Sequence, residues 1–253
     1  MIEYETSPAL SAISTIRHGF FGRNGGVSRG DFAGLNISHS VGDDQQDVEN
    51  NRQSVANRLN IGPLLLLRQV HSARVETVTA PFAPGAVIEA DAMVTATPGL
   101  LLGVLAADCT PILFADSEAG VIGAAHAGWR GAVDGVVGTT IAAMVALGAR
   151  PERIRAAYGP TIHGENYEVG DAFMADFLAI HPTGKQHFFT PDGGKPHFDL
   201  PGFVQAQLQA AGVFSIDQVG FCTYAHPDRY FSHRRATHEA TRTGRQVAVI
   251  GLT

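Results

Sequence analysis

Short apolar runs broken by glycine and proline dominate the middle of the chain. Residues 92–95, 100–106, 112–116 and 121–125 are apolar and separated by Pro98-Gly99, Pro111 and Gly120, a pattern that predicts buried β-strands. Residues 64–70 and 74–79 read as strands flanking His71-Ser72, and residues 154–158, 219–223 and 247–250 as later ones. Near the start, Gly19-Phe20-Phe21 reads as strand and runs into the glycine-rich loop Gly22 to Ser28, where paired glycines open backbone conformations closed to other residues. Residues 43–59 contain neither Gly nor Pro and place Val48, Val55 and Leu59 at helical spacings, with Gly62-Pro63 as a stop. Asp43-Asp44 stand where negative charge offsets a helix dipole by about 0.3–1 kcal/mol. Residues 131–147, rich in Ala, Val and Thr, predict a buried helix packed on the sheet, and 170–180 and 201–211 predict two more. With no repeat and no concentrated linker, this alternation points to one domain spanning residues 1–253.

Composition narrows the class. Hydrophobic residues at 45% and charged residues at 17% are ordinary globular material. A formal net charge of −6 and a pI near 6.0 argue against a nucleic-acid partner, whose phosphates call for clustered Lys and Arg. Two cysteines give neither a disulfide framework nor a four-cysteine metal site, so a reducing compartment, the cytoplasm, is expected. Residues 1–20 carry Glu3 and Glu5 and no apolar run, unlike a signal peptide. The longest uncharged stretch, 92–107, contains Pro98 and falls short of the roughly 18 residues of a spanning helix, so no membrane partner is expected.

The candidate chemistry centres on His71, Cys109 and His126, each inside a compact segment: Arg68-Gln69-Val70-His71, Ala107-Asp108-Cys109-Thr110-Pro111, and Ala125-His126-Ala127-Gly128-Trp129-Arg130-Gly131. Three nitrogen and sulfur ligands are what a catalytic zinc uses when a fourth position stays open. Their intervals, 38 and 17 residues, match no short ligand motif, so three separate loops must converge. A free cysteine is also a good packing residue, and a lone histidine an ordinary core or surface one. Asp108 and Arg130, charged neighbours of these residues, are harder to explain by packing.

The segments Gln69-Val70-His71, Ala90-Asp91-Ala92, Ala107-Asp108-Cys109-Thr110-Pro111-Ile112, His126-Ala127-Gly128-Trp129-Arg130-Gly131, Tyr167-Glu168-Val169-Gly170, Phe231-Ser232 and Gly244-Arg245-Gln246 together resemble the YfiH/YlmD-type family. These proteins carry laccase-domain, polyphenol oxidase or purine nucleoside phosphorylase names, and the likeness runs from His18-Gly19-Phe20 to the C-terminus. It implies a single α/β (α+β) domain with mixed sheets flanked by helices and a pocket where His71, Cys109 and His126 hold zinc. The implied activities are phosphorolysis of adenosine, inosine and S-methyl-5′-thioadenosine, and deamination of adenosine. The family is also associated with copper and with peptidoglycan editing.

Each implied activity makes its own demand on the residues. A zinc with an open position lowers the pKa of its water to about 7, which suits attack at the purine carbon bearing the amine. Phosphorolysis needs a phosphate held beside the ribose C1′. Arg130, Arg23 and the amides of Gly25-Gly26 are the candidate phosphate holders. Asn36, His39 and Asp108 are candidates for orienting the nucleoside or moving protons, and Cys109 stands among the catalytic candidates. Trp129 either stacks on the base or packs a core edge, and Arg234-Arg235 reads as a surface ion-pairing segment. The chain departs from many relatives at Thr161-Ile162-His163-Gly164, where a cysteine is usual. His163 is there either a polar group at the pocket mouth or a plain turn residue.

Competing readings remain open at this level. A metal-free hydrolase would use Cys109 as nucleophile, His126 as base and Asp108 as orienting group. A multicopper oxidase would need paired His-x-His segments, and none of the 11 histidines lies two residues from another. A binding role in wall maintenance would place a sugar or peptide in the same pocket. The expected partners are a small nucleoside and phosphate, and the oligomeric state is not fixed by the sequence.

Overall fold

The computed structural model describes residues 2–253. Its strands are β1 (Tyr4–Glu5), β2 (Ile16–Phe21), β3 (Leu64–Leu66), β4 (Val75–Thr77), β5 (Ala92–Thr95), β6 (Leu101–Ala106), β7 (Thr110–Asp116), β8 (Val121–Ala127), β9 (Arg155–Tyr158), β10 (Phe188–Phe189), β11 (His197–Phe198), β12 (Ser215–Gln218) and β13 (Gln246–Leu252). Its α-helices are α1 (Pro8–Ser11), α2 (Gln45–Leu59), α3 (Trp129–Val133), α4 (Val136–Ala146), α5 (Asp171–Ile180), α6 (Leu200–Ala210) and α7 (His233–His238). One mixed sheet has the order β1-β2-β13-β6-β3 and a second the order β12-β9-β7-β8-β5-β4, while β10 and β11 form a small antiparallel pair. The second sheet is antiparallel at its centre and parallel at its two edges.

The two large sheets lie face to face because their strands are apolar on both sides. From β6 and β13, Leu102, Val104, Ala248 and Ile250 join Leu113, Ala115, Ile122 and Ala124 of β7 and β8 in one buried cluster. The alternate residues Leu101, Val247 and Val249 turn the other way and meet Val55 and Leu59 of α2. On the far side, Ala92, Val94, Ile112 and Phe114 meet Val137, Ile141 and Met144 of α4 and Phe203, Val204 and Leu208 of α6. The result is four layers, helix, sheet, sheet, helix. Strands covered on both faces read as continuous apolar runs rather than alternating ones. Those runs are what made the centre of the chain legible as strand. No helix among the described residues is long and apolar enough to cross a membrane.

Local differences from expectation have identifiable causes. Asp44 caps α2, accepting hydrogen bonds from the amides of Gln46 and Asp47, while Asp43 bonds to the Asn36 side chain. The helix expected at 131–147 is two helices, because Gly135 takes φ +89° between α3 and α4. The strand expected at 219–223 lies earlier, at β12, which pairs in parallel with β9. Gly220 at φ +75° turns the chain just beyond it and leaves Phe221 exposed.

His18 on β2 is a buried histidine kept neutral. Only 5% of it is exposed, and its Nε2 accepts a hydrogen bond from the Ser7 amide at 2.8 Å. Burial lowers its pKa to about 4 against the opposing charge of Asp217. The unfolded chain takes up this proton below about pH 6.5, the folded chain only near pH 4. The associated stability is therefore present above pH 6.5 and lost as the pH falls toward 4, by roughly 2–3 kcal/mol. Urea unfolding at pH 7.0 and 4.5 should show a steeper loss for the wild type than for a His18→Asn variant.

Candidate metal centre

Three turns at one end of the sandwich bring the candidate ligands together. His126 is the penultimate residue of β8, opposite Pro111 of β7, so Cys109, in the turn between β6 and β7, lies beside it. His71 arrives on the loop between β3 and β4. That loop is pinned by Gln69, whose side-chain amide accepts from the Leu105 amide and donates to the Leu105 carbonyl at 2.7 and 2.8 Å. Gln69 thereby takes the place of one more backbone partner for β6. Cys109 Sγ and His71 Nε2 are 3.9 Å apart, and the ligand atoms of all three residues lie within 4.8 Å of one another. A side chain at position 128 would not fit, because a Cβ on Gly128 would stand 2.8 Å from the His71 ring and 3.0 Å from Cys109 Sγ.

Asp91 ties the cluster together. It precedes β5, whose antiparallel pairing with β8 sets Ala92 opposite Ala125. Its carboxylate accepts from the amides of Val70, His71 and Ser72, from the Ser72 hydroxyl, and from His126 Nδ1 at 2.9 Å. His71 has φ +60°, a strained backbone for a residue with a side chain, and the hydrogen bond its amide donates to Asp91 holds it there. Burial works to raise the Asp91 carboxyl, and the His126 and Ser72 hydrogen bonds outweigh it and hold the pKa at about 2. With Nδ1 committed, His126 turns Nε2 toward Cys109, the orientation a carboxylate behind a metal-bound histidine enforces.

Charge in the cluster is arranged for a thiolate. Burial pushes the Cys109 thiol up, but the charge and hydrogen bonding of His126 and His71 bring it to about 6. Burial likewise opposes protonation of His126, and Cys109 and Asp91 together raise it to about 9. The pocket thus stabilises sulfur in its anionic form beside positive charge, a condition that a metal cation also satisfies. Zinc sits about 2.0–2.3 Å from nitrogen and sulfur ligands, so small side-chain rotations let one ion reach all three donors. The donor set fits a three-ligand zinc centre.

Two cavities open onto this cluster and share His71, Ala107, Cys109 and His233. The first, about 700 Å³, is lined by Arg52, Arg68, His39, Arg245 and His126 with a rim of Val87 and Ile88. The second, about 540 Å³, is walled by Trp129, Ile162, Tyr167 and Leu200 with Arg234 and His238. Burial, together with the neighbouring Cys109 and Asp108 charges, keeps the Tyr167 hydroxyl protonated, and the Arg234 guanidinium lies 5.2 Å from the centre of its ring. A further cleft between Tyr4, Arg58 and Arg229 shares no lining residue with either.

Of the residues singled out in the sequence, His39 and Trp129 line these cavities, and Trp129 also packs edge-on against Phe173. Arg23, Gly26, Arg130 and Asn36 line neither. The Arg23 guanidinium is taken up by the carbonyls of Ala33 and Pro227 and by the face of Phe231, 4.7 Å away. Gly26 is pressed against the backbone of Gly34, where a Cβ would come within 2.2 Å of the carbonyl oxygen. Arg130 is exposed and lies over the Trp129 ring. Asn36 is fully buried, donates to Asp43 and Ser38, and accepts from the amides of Ser38 and Arg245, so it shapes the wall from behind. Asp108, at φ +88°, lines the second cavity, but its oxygens accept from the Thr223 hydroxyl and the Arg234 amide. It anchors the Cys109 turn, and the group that orients His126 is Asp91 instead. His163 lines neither cavity, and its amide and the Asn166 side chain donate to Cys222 Sγ. Arg235 forms the expected surface ion pair, with Glu239, whereas Arg234 belongs to the second cavity.

Residues 17–253 match the family described as multi-copper polyphenol oxidoreductase laccase. The chain belongs to this family. Among its relatives, the purine nucleoside phosphorylase of Deinococcus radiodurans is 44% identical over 253 residues, 98% of this chain and 95% of its own length. The purine nucleoside phosphorylase ORF3 of Streptomyces griseus is 42% identical over 93% of this chain and 94% of its own. A solved Neisseria meningitidis protein superposes with TM-score 0.88 at 34% identity, covering 99% and 98% of the two chains. YlmD from Geobacillus stearothermophilus does so with TM-score 0.88 at 32% identity over 99% and 96%. The YfiH/YlmD resemblance and the mixed α/β fold drawn from it both hold. Among the described residues, the one cluster suited to a metal is His71, Cys109 and His126.

Proposed function

We propose that the chain is a zinc-dependent purine nucleoside phosphorylase acting on adenosine, inosine and S-methyl-5′-thioadenosine, with adenosine deaminase activity at the same centre. The observation that carries this reading is the two-lobed cavity meeting at His71, Cys109 and His126, and the names of the relatives support it. The aromatic lobe suits a purine, with Trp129 and Tyr167 offering flat faces and an uncharged hydroxyl. Phosphorolysis forms a bond from a phosphate oxygen to ribose C1′ as the bond from C1′ to the purine breaks, and the proton of hydrogen phosphate ends on the purine. Proximity and charge placement are the main levers for such a transfer.

His71, Cys109 and His126 would hold the zinc, which when bound supplies Lewis acidity to the deamination. The chain's own residues do the rest: Asp91 keeps His126 oriented, Asp108 fixes the Cys109 turn, and Gly128 leaves room for the ligands to converge. In deamination, water delivers oxygen to the purine C6, and its two protons end on the departing ammonia and on the ring.

The experiment is metal analysis of purified protein together with chromatographic product detection after incubation with adenosine in phosphate, for wild type and Cys109→Ala. Near-stoichiometric zinc, with adenine or inosine formed by the wild type and lost in the variant, is the expected result. A second reading has its own observation. Asp91, His126 and Cys109 also stand in the order of a carboxylate, histidine and thiol triad, the pattern of a cysteine hydrolase. Metal-free protein without nucleoside turnover, whose Cys109 reacts rapidly with iodoacetamide at pH 7, would favour it.

A further inference from the structure

The larger of the two lobes gathers three arginines and no carboxylate in its lining. The chain as a whole is acidic, at −6, yet this lobe is lined by Arg52, Arg68, Arg245, His39 and His233 and by no aspartate or glutamate. Arg68 is paired at its outer end with Glu89. Arg52 and Arg245 form no ion pair among the described residues. Each is half-buried and anchored through part of its guanidinium only. Arg52 donates Nε to the Ile37 carbonyl at 2.9 Å, and Arg245 donates Nη1 to the carbonyls of Thr243 and Gly244. Their remaining nitrogens make no hydrogen bond among the described residues. The nearest acidic influence on Arg52 is Glu49, which is 61% exposed and faces His39 Nε2 at 3.6 Å. His39 Nδ1 is buried and also without a partner among the described residues.

Burial disfavours both guanidinium groups more than the charges of Glu49 near Arg52, and of Cys109 and Asp108 near Arg245, offset it, so a bound anion that pairs with the free donors stabilises them. A fork already fixed at one end loses little freedom when it binds one. Asn36 adds to this order by accepting the Arg245 amide at 2.9 Å.

We propose that this lobe is the phosphate subsite, with Arg52 and Arg245 holding a free phosphate dianion beside the His71, Cys109 and His126 cluster and His39 completing the ring. The assignment rests on the phosphorylase reading above, and it replaces Arg23, Arg130 and the Gly25-Gly26 loop as phosphate holders. The purine then lies in the aromatic lobe, and ribose C1′ falls between the two.

The test uses the metal-loaded full chain as wild type, Arg52→Gln, Arg245→Gln and Arg245→Lys, with melting temperature and metal content as controls of folding. Inorganic phosphate binding is measured by calorimetry without nucleoside, and the phosphate and adenosine KM values are measured separately. The expected result is loss of the phosphate heat in both glutamine variants, a phosphate KM raised about 10- to 100-fold, a smaller change in the adenosine KM, and partial recovery with lysine. Unchanged phosphate binding and phosphate KM in a folded Arg52→Gln protein would overturn the proposal while leaving the phosphorylase reading intact. Should Arg245→Gln fail to fold, Arg52→Gln, on the half-buried face of α2, decides alone. Arginine-dependent phosphate binding without any phosphorolysis would uphold the subsite and remove the activity. Binding of a nucleoside 5′-monophosphate but not of inorganic phosphate would overturn it in favour of a nucleotide site.

Discussion

Replacing Asp91 by alanine is expected to destabilise the fold by about 3–5 kcal/mol and, on the zinc-dependent reading proposed above, to abolish stoichiometric zinc retention. The carboxylate is fully buried and serves five donors from two separate segments. Its removal leaves the Ser72 and His71 amides without acceptors and His126 without the group that fixes its ring. The positive φ of His71 then has nothing to hold it. Asp91→Asn keeps the shape and one acceptor oxygen but loses the charge and turns the other oxygen into a donor, so its expected effect is about 10- to 100-fold weaker metal affinity at a smaller loss of stability than alanine causes. Competition with a chelator, read by metal analysis, measures the first quantity and denaturant unfolding the second. Zinc affinity in Asp91→Asn equal to wild type would show that the carboxylate serves the backbone alone.

The second large effect concerns a residue first read as part of a ligand loop. Gly26→Ala is expected to destabilise by about 3 kcal/mol, lowering Tm by roughly 6–12 °C for a chain of this size. The added methyl would meet the Gly34 carbonyl oxygen at 2.2 Å and the Leu35 Cα at 2.4 Å, all backbone atoms that cannot swing aside. Leu35 lies in the buried cluster under α2, so the clash reaches the core. The phosphate KM of the folded fraction should stay at the wild-type value, because Gly26 lines neither lobe. A raised phosphate KM with unchanged Tm would return this loop to the site.

What could be read in the sequence follows from how local each signal is. The central strands were legible because both faces of Leu101–Ala106 and Val121–Ala127 are buried, which leaves a run of apolar letters. β12, with the sequence Ser-Ile-Asp-Gln, sits at a sheet edge and carries no such run, so the more β-prone Val219 and Phe221 drew the assignment instead. The cluster of His71, Cys109 and His126 was recognisable from residue type and family resemblance but not from spacing, since pairing between β7 and β8 and the Asp91 clamp create their proximity. Arg23 in a glycine-rich loop cannot be told by sequence from a phosphate holder, because the carbonyls and the Phe231 ring that occupy it come from remote positions. Arg52 and Arg245 show the converse. One looks like any helix-surface arginine and the other like part of a short motif, and only their meeting across 193 residues exposes a shared cationic wall.

The position of β13 has a further consequence for how the molecule is made. This strand, the last among the described residues, pairs with β2 on one side and β6 on the other, in the middle of its sheet. During synthesis β2 and β6 therefore leave the ribosome with their facing edges open, and they stay so until residues 246–252 emerge. Open edges recruit other strands, so the nascent protein passes through a long interval in which partners that guard strand edges have most to do. Arg245 immediately precedes this strand, so the cationic wall is completed later than the His71, Cys109 and His126 segments emerge.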